Sequence, residues 1–179
     1  GKTYKMPNRI CMGDANMILM VARDTGVTMR GHVLVWHSQT PKFFFREGWK
    51  DDGKYVSREE MTARQEWYIK YVLDWVSAWE KKNNGGKHII TTWDVVNEAA
   101  ADNAGPNKYV RDNGDWWGVY HDGSYIVNAF RFANKYAPKD VKLCYNDYNS
   151  AMGANSSKPT GKHAAILKII DDIQADPDA

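Results

Sequence analysis

Hydrophobic positions along the chain follow two rhythms, and their succession predicts the elements. Residues 27–36 (VTMRGHVLVW), 89–96 (IITTWDVV) and 141–145 (VKLCY) are rich in β-branched and apolar residues and show no clean period-two alternation. Runs that are apolar on both faces are what a parallel sheet covered by helices requires. Helical patterns lie between them. Residues 57–82 open with Ser57-Arg58-Glu59-Glu60, a capping box. They then place Met61, Tyr68, Ile69, Val72, Leu73, Val76 and Trp79 along one stripe and stop at Asn83-Asn84-Gly85-Gly86. Residues 124–136 carry Ile126, Val127, Phe130 and Ala133 at helical spacing before Pro138, and residues 160–175 carry Ile166, Ile169, Ile170 and Ile173. An earlier helix, about residues 14–24, ends near Gly26.

The predicted order is α, β, α, β, α, β, α, an α/β chain with parallel strands joined by right-handed crossovers. A doubly wound sheet and a (β/α) barrel both fit this order. No G-x-G-x-x-G follows a strand, and Gly85-Gly86 precedes a strand instead of opening a helix, which weighs against nucleotide binding. The longest irregular stretches, 38–56 and 99–123, both follow strand C-terminal ends. Those ends are where α/β folds keep their functional loops.

Composition narrows the function. With 179 residues, 43% hydrophobic and 26% charged, the chain reads as an ordinary globular protein. A net charge of +2 is too small for a nucleic-acid footprint, so no nucleic-acid partner is expected. No apolar run approaches the roughly 20 residues of a membrane span. Eight Trp and ten Tyr stand beside only five Leu. Such amphipathic rings suit a carbohydrate cleft, where sugar CH faces need flat apolar partners. Cys11 and Cys144 lie far apart and read as two buried free thiols instead of a disulfide. The chain opens GKTYKMP, without an initiating Met or an apolar leader, so an export signal is expected to be removed already or never to have been included. Asn155-Ser156-Ser157 fits a glycosylation sequon, a pattern short enough to arise by chance.

The candidate chemistry stands at the three strand ends. After the first comes Trp36-His37-Ser38-Gln39, after the second Asn97-Glu98, and after the third Asn146-Asp147-Tyr148-Asn149. Parallel strands bring all three ends to one rim, so carboxylates, amides, His and Trp converge on a cleft. Burying such groups unpaired costs about 1–3 kcal/mol each, which a purely structural rim has no reason to incur. Glu98 directly follows an apolar strand, where partial desolvation would favour a protonated carboxyl fit for general acid work. The bland alternative is a solvated glutamate at an element start. Asn97 offers an amide to a substrate hydroxyl, or else serves the strand-end turn. Asp94 is expected to pair with Arg30 or a histidine across the sheet, a structural role. His32 is either a satisfied core histidine or a ligand contact. Asp51-Asp52 and Glu59-Glu60 read as solvated surface charge. The five His form no metal-ligand spacing, so neither a metal nor a cofactor is expected.

Three segments carry a resemblance. Residues 30–41 (RGHVLVWHSQTP), 93–99 (WDVVNEA) and 145–149 (YNDYN) resemble the successive strand motifs of family 10 glycoside hydrolases, mainly endo-β-1,4-xylanases on a (β/α)8 TIM barrel. Residues 44–48 (FFREG) and 135–138 (KYAP) are similar as well, so the likeness covers most of residues 14–179. The resemblance implies that Glu98 is the acid/base and that Asn97 contacts the sugar in the −1 subsite. It matches His32, Trp36 and Gln39 to glycone-side contacts, includes His37 in the same motif, and puts Tyr148 and Asn149 near the aglycone side. Family members retain anomeric configuration, with two carboxyls about 5 Å apart acting in turn.

The chain departs from the family where other motifs should stand. The seventh-strand I-T-E-like segment with the nucleophile, the first-strand A-E-N-x-M-K-like motif and the sixth-strand Q-x-H-like motif are all absent. None of Glu47, Glu59, Glu60, Glu66 and Glu80 is predicted at a strand end to replace the nucleophile. Residues 1–179 therefore read as a partial catalytic domain, about barrel strands 3 to 5 with flanking helices, against the roughly 200–250 residues of a whole barrel. The implied partners are xylan, xylo-oligosaccharides and the remaining barrel segments. The implied location is extracellular, and the fragment alone is expected to be inactive. A rival from another class is a non-catalytic sugar-binding remnant. A third is an unrelated parallel α/β enzyme.

Overall fold

The computed structural model describes residues 2–105, 107–154 and 160–179. The sequon at Asn155 lies outside them. Among the described residues, α-helices and strands follow in the order α1 (Gly13–Thr25), β1 (Met29–Trp36), α2 (Arg58–Asn83), β2 (Ile90–Asn97), β3 (Ala100–Gly105), β4 (Lys108–Val110), α3 (Asp115–Tyr120), α4 (Ser124–Tyr136), β5 (Lys142–Asn146) and α5 (Gly161–Gln174). Strands β1, β2 and β5 form a parallel sheet in that order, with β2 in the centre. All seven elements read from the hydrophobic rhythm are present, within two residues at each boundary.

Local chemistry explains the boundaries. Ser57 Oγ accepts from the Glu60 amide at 3.2 Å and opens α2. Gly26 closes α1 in the left-handed conformation at φ 72°, its N–H bonded to the Ala22 and Arg23 carbonyls. Met61, Ile69, Val72, Leu73, Val76 and Trp79 of the α2 stripe are buried, and α2 packs on α4. Gly31 lets β1 and β2 lie together, since a Cβ there would sit 2.3 Å from the Trp93 ring.

Buried polar groups bind the layers. Arg64 is 1% exposed; it donates to the Phe44 and Arg46 carbonyls at 2.9 and 3.0 Å and pairs with Glu60. This corrects the reading of Glu60 as free surface charge, because its carboxylate neutralises a buried guanidinium. Glu80, 2% exposed, accepts from the Ile89 and Ile90 amides at 2.7 and 2.9 Å and so anchors the N-terminal end of β2.

Two further expectations fail. The stretch 99–123 is not irregular: it folds into the antiparallel β3–β4 hairpin and α3, with α5 packed on the hairpin. Its sequence is too polar and too short in each piece to show either period. Likewise, 38–56 holds two 3-10 turns and an Arg46–Tyr55 bridge. Both cysteines are free, but Cys11 is exposed and Cys144 only half-buried, since the thiols sit on a leading segment and on the edge strand β5.

Candidate active site

Register builds the site. Trp36 of β1 pairs with Asn97 of β2, and Asn97 pairs with Asn146 of β5, so the three C-terminal ends meet as one row. Asn97 is buried, and its Oδ1 accepts from Asn146 Nδ2 at 2.8 Å. Glu98 follows at once, half-buried, and its Oε2 accepts from Trp36 Nε1 at 2.9 Å. Trp116 and Thr40 in turn donate to the Trp36 carbonyl, at 3.0 and 3.1 Å, which fixes the strand end that carries the indole.

Left-handed backbone occurs at three of the candidate site residues, and also at Trp49 and His121, which are not among them. Glu98, Gln39 and Asn149 have φ values of 56°, 59° and 53°. A side-chain-bearing residue in the left-handed region costs about 1–2 kcal/mol, so surrounding structure must hold each of them.

Three residues earlier on β2, Asp94 accepts from Arg30 Nε at 2.7 Å and from His32 Nδ1 at 3.0 Å. The expected pairing therefore holds with both partners, and it orients His32. The His32 side chain is 46% exposed, which removes the reading as a core histidine. His32, Trp36 and Gln39 line a cavity of about 580 Å³ beside β1, together with Phe44, Trp67 and Trp116. Glu98 is not in that lining; Trp36 belongs to it and bonds the Glu98 carboxyl through Nε1. His37 packs edge-on against Trp36 at 5.9 Å between centroids. Its Nδ1 is buried without a hydrogen-bond partner among the described residues. Burial, then the charge of Arg111, holds its imidazole below the ordinary range against the opposing pull of Glu98, Asp102 and Asp147.

The opposite wall is a charged cluster that strand-end reasoning did not single out. Tyr148, 41% exposed, donates to Asp102 Oδ1 at 2.5 Å, and its ring lies 3.8 Å from Lys162 Nζ. Arg111 reaches Asp102 Oδ2 at 3.1 Å and the Tyr148 hydroxyl at 3.3 Å. Lys162 Nζ, first, and the Tyr148 hydroxyl pull the Asp102 carboxyl down to about 2. Asn149 is exposed beyond Tyr148. Nothing in the sequence marked Lys162 out, because α5 also carries His163, Lys168, Asp171 and Asp172 among its apolar positions. Thus Trp36 and Asn97 are in direct register, and Glu98 follows, bonded to Trp36; His32, His37 and Gln39 flank them on the β1 side, and Tyr148 and Asn149 on the β5 side.

Comparisons with known proteins agree on a family. The model for glycosyl hydrolase family 10 matches residues 2–176. Endo-1,4-beta-xylanase Y of Acetivibrio thermocellus is 38% identical over 150 residues, covering 79% of this chain and 14% of that protein. Among solved structures, the CBM22-1–GH10 modules of xylanase 10B from Clostridium thermocellum, complexed with xylohexaose, align with a TM-score of 0.73 at 32% identity over 90% of this chain and 31% of that one. TsXylA, an intracellular xylanase of Thermoanaerobacterium saccharolyticum, aligns with a TM-score of 0.77 at 29% identity, covering 95% and 47%. The chain thus spans less than half the length of each of these relatives.

Proposed function

The chain belongs to glycosyl hydrolase family 10, and from that premise we propose that it carries the acid/base half of a retaining endo-β-1,4-xylanase site. The fold is part of the (β/α)8 barrel of its structural neighbours, three parallel strands without closure among the described residues. In this proposal residues 1–179 are a partial catalytic domain holding about barrel strands 3 to 5, and the nucleophilic carboxylate comes from segments outside them.

Glu98 protonates the departing glycosidic oxygen, then, as a carboxylate, takes a proton from the water that frees the covalent glycosyl intermediate. Asn97 bonds the 2-hydroxyl of the sugar in the −1 subsite. His32, Trp36, His37 and Gln39 form the glycone wall, and Tyr148 and Asn149 the aglycone wall. The observation that carries the reading is the row Trp36–Asn97–Asn146 with Glu98 beside it. Its register points one carboxyl, held by an indole N–H at 2.9 Å, at a rim lined by amides and rings.

The test uses a barrel completed with the flanking family segments, joined covalently or supplied as a complementing chain. It should hydrolyse xylan with retention, while the 179 residues alone should not. In the completed barrel, Glu98→Gln should slow substrates with poor leaving groups by about 10²-fold or more, and activated aryl glycosides far less. Equal rates for Glu98→Gln and the parent protein on both substrates sink the proposal. Calorimetric binding of xylo-oligosaccharides by a completed barrel that never hydrolyses them favours the non-catalytic sugar-binding reading instead. A polymeric substrate cannot enter a cell, so the proposal also places the protein outside it. No helix among the described residues is long and apolar enough to cross a membrane. Recovery of the protein in the cytoplasmic fraction would redirect the proposal to short oligosaccharides.

A further inference from the structure

Glu98 is held through its backbone as well as its side chain. Its N–H donates to the Asn146 carbonyl at 2.9 Å, and its own carbonyl accepts from Arg111 Nε at 3.1 Å. The next two amides, Ala99 and Ala100, both donate to the phenolic oxygen of Tyr145, at 3.0 and 2.9 Å. A phenol that accepts two amides must send its own hydrogen elsewhere. Asp147 Oδ2 receives it at 2.5 Å. The Asp147 side chain is 1% exposed, and its other oxygen lies 3.0 Å from Lys162 Nζ. Lys162, itself buried, reaches on to Asp102 Oδ1 at 2.6 Å, on the strand that follows Glu98. Burial works against the Lys162 charge, but the bonds to Asp102 and Asp147 overcome it, and its pKa lies above the ordinary lysine value.

We propose that Tyr145, Asp147 and Lys162 are positioning residues that hold the Glu98 peptide in its left-handed turn and so set the direction of its carboxyl. The inference rests on the reading of Glu98 as acid/base. Each link has a direction. Lys162 donates to Asp147, whose carboxylate accepts the phenolic hydrogen, and both phenolic lone pairs are thereby turned to the two amides after Glu98. A backbone at φ 56° is not one that glutamate adopts unaided. With the relay cut, the peptide is free to relax toward an ordinary conformation and swing the carboxyl off the glycosidic oxygen. Burial explains why Lys162 and Asp147 must come as a pair, since either alone would be an uncompensated charge.

The test is made in the full-length barrel, nucleophile included. Tyr145→Phe keeps the ring and removes the acceptor; Lys162→Met keeps the chain and removes the charge; Lys162→Arg restores the charge. For xylohexaose, kcat should fall about tenfold or more in the first two variants with KM unchanged, because a misplaced catalytic group loses rate without losing substrate contacts. An activated aryl glycoside, which needs little proton assistance, should lose less than about twofold. Lys162→Arg should recover part of the lost rate. Glu98→Gln run alongside separates the two readings. Leaving-group selectivity in Glu98→Gln but not in Tyr145→Phe and Lys162→Met overturns the positioning role alone; its absence in Glu98→Gln overturns the acid/base reading and the proposal with it. Should one variant lose cooperative unfolding, the other carries the comparison. Loss of cooperative unfolding in both, or an equal loss on both substrates, makes the relay structural only and overturns the proposal.

Discussion

Around Glu98, single atoms decide the chemistry. The indole of Trp36 fixes one carboxyl oxygen, and neighbours from β5 fix the peptide, so the residue is constrained at both ends. Glu98 and Asn97 were legible in sequence because a carboxyl and an amide at the end of an apolar strand have few structural excuses. Asp102 and Lys162 were not, because they lie 60 residues apart and meet only when α5 packs on the hairpin. Their pairing has a pH consequence. Lys162, then Tyr148, lowers the Asp102 pKa from 3.8 to about 2 in the folded state. A lowered folded-state pKa contributes stability that is fully present above the unfolded value and lost as pH falls through the folded one. Between about pH 4 and pH 2, therefore, denaturant midpoints should fall less steeply for Asp102→Asn than for the parent chain. Parallel slopes would remove Asp102 from the acid response.

Elements owe their edges to local rules and their placement to close approach. The cap at Ser57 was readable from four letters, and replacing it by alanine should cost about 1 kcal/mol in urea unfolding. Gly31 is different. Its sequence context is an ordinary strand, and only the packed sheet brings the buried Trp93 ring to 2.3 Å of the missing Cβ. Gly31→Ala should destabilise by about 1–3 kcal/mol through overpacking, measured as a lower urea midpoint at unchanged slope. A midpoint equal to the parent's would mean that the ring has room to move. The hairpin β3–β4 shows the limit of periodicity: with the polar residues Asp102 and Asn103 in its first strand, it reads as loop until α5 covers it.

As a whole, the molecule is part of a barrel, unclosed among the described residues, and it leaves apolar surface exposed. Strands β1 and β5 are the outer strands of the sheet, and α1 leaves Met17, Ile18, Met20 and Val21 between 42% and 67% exposed. A contiguous apolar face of this kind promotes association. Sedimentation of the isolated 179 residues should show mass rising with concentration, and Met17→Lys with Val21→Lys should reduce that rise while the circular dichroism stays unchanged. Insensitivity to both substitutions would place the contact on the open strands instead. The sequence by itself determined the alternation of helices and parallel strands, the residues at each strand end, and the family, because period, caps and short motifs are local properties of a chain. Only the tertiary structure decided the rest: the row that sets Trp36 beside Asn97 and Asn146, the His32–Asp94–Arg30 pairing, and the burial of Lys162 between two carboxylates. These depend on register and on which faces meet, and burial turns a surface lysine into a charge that must be paired.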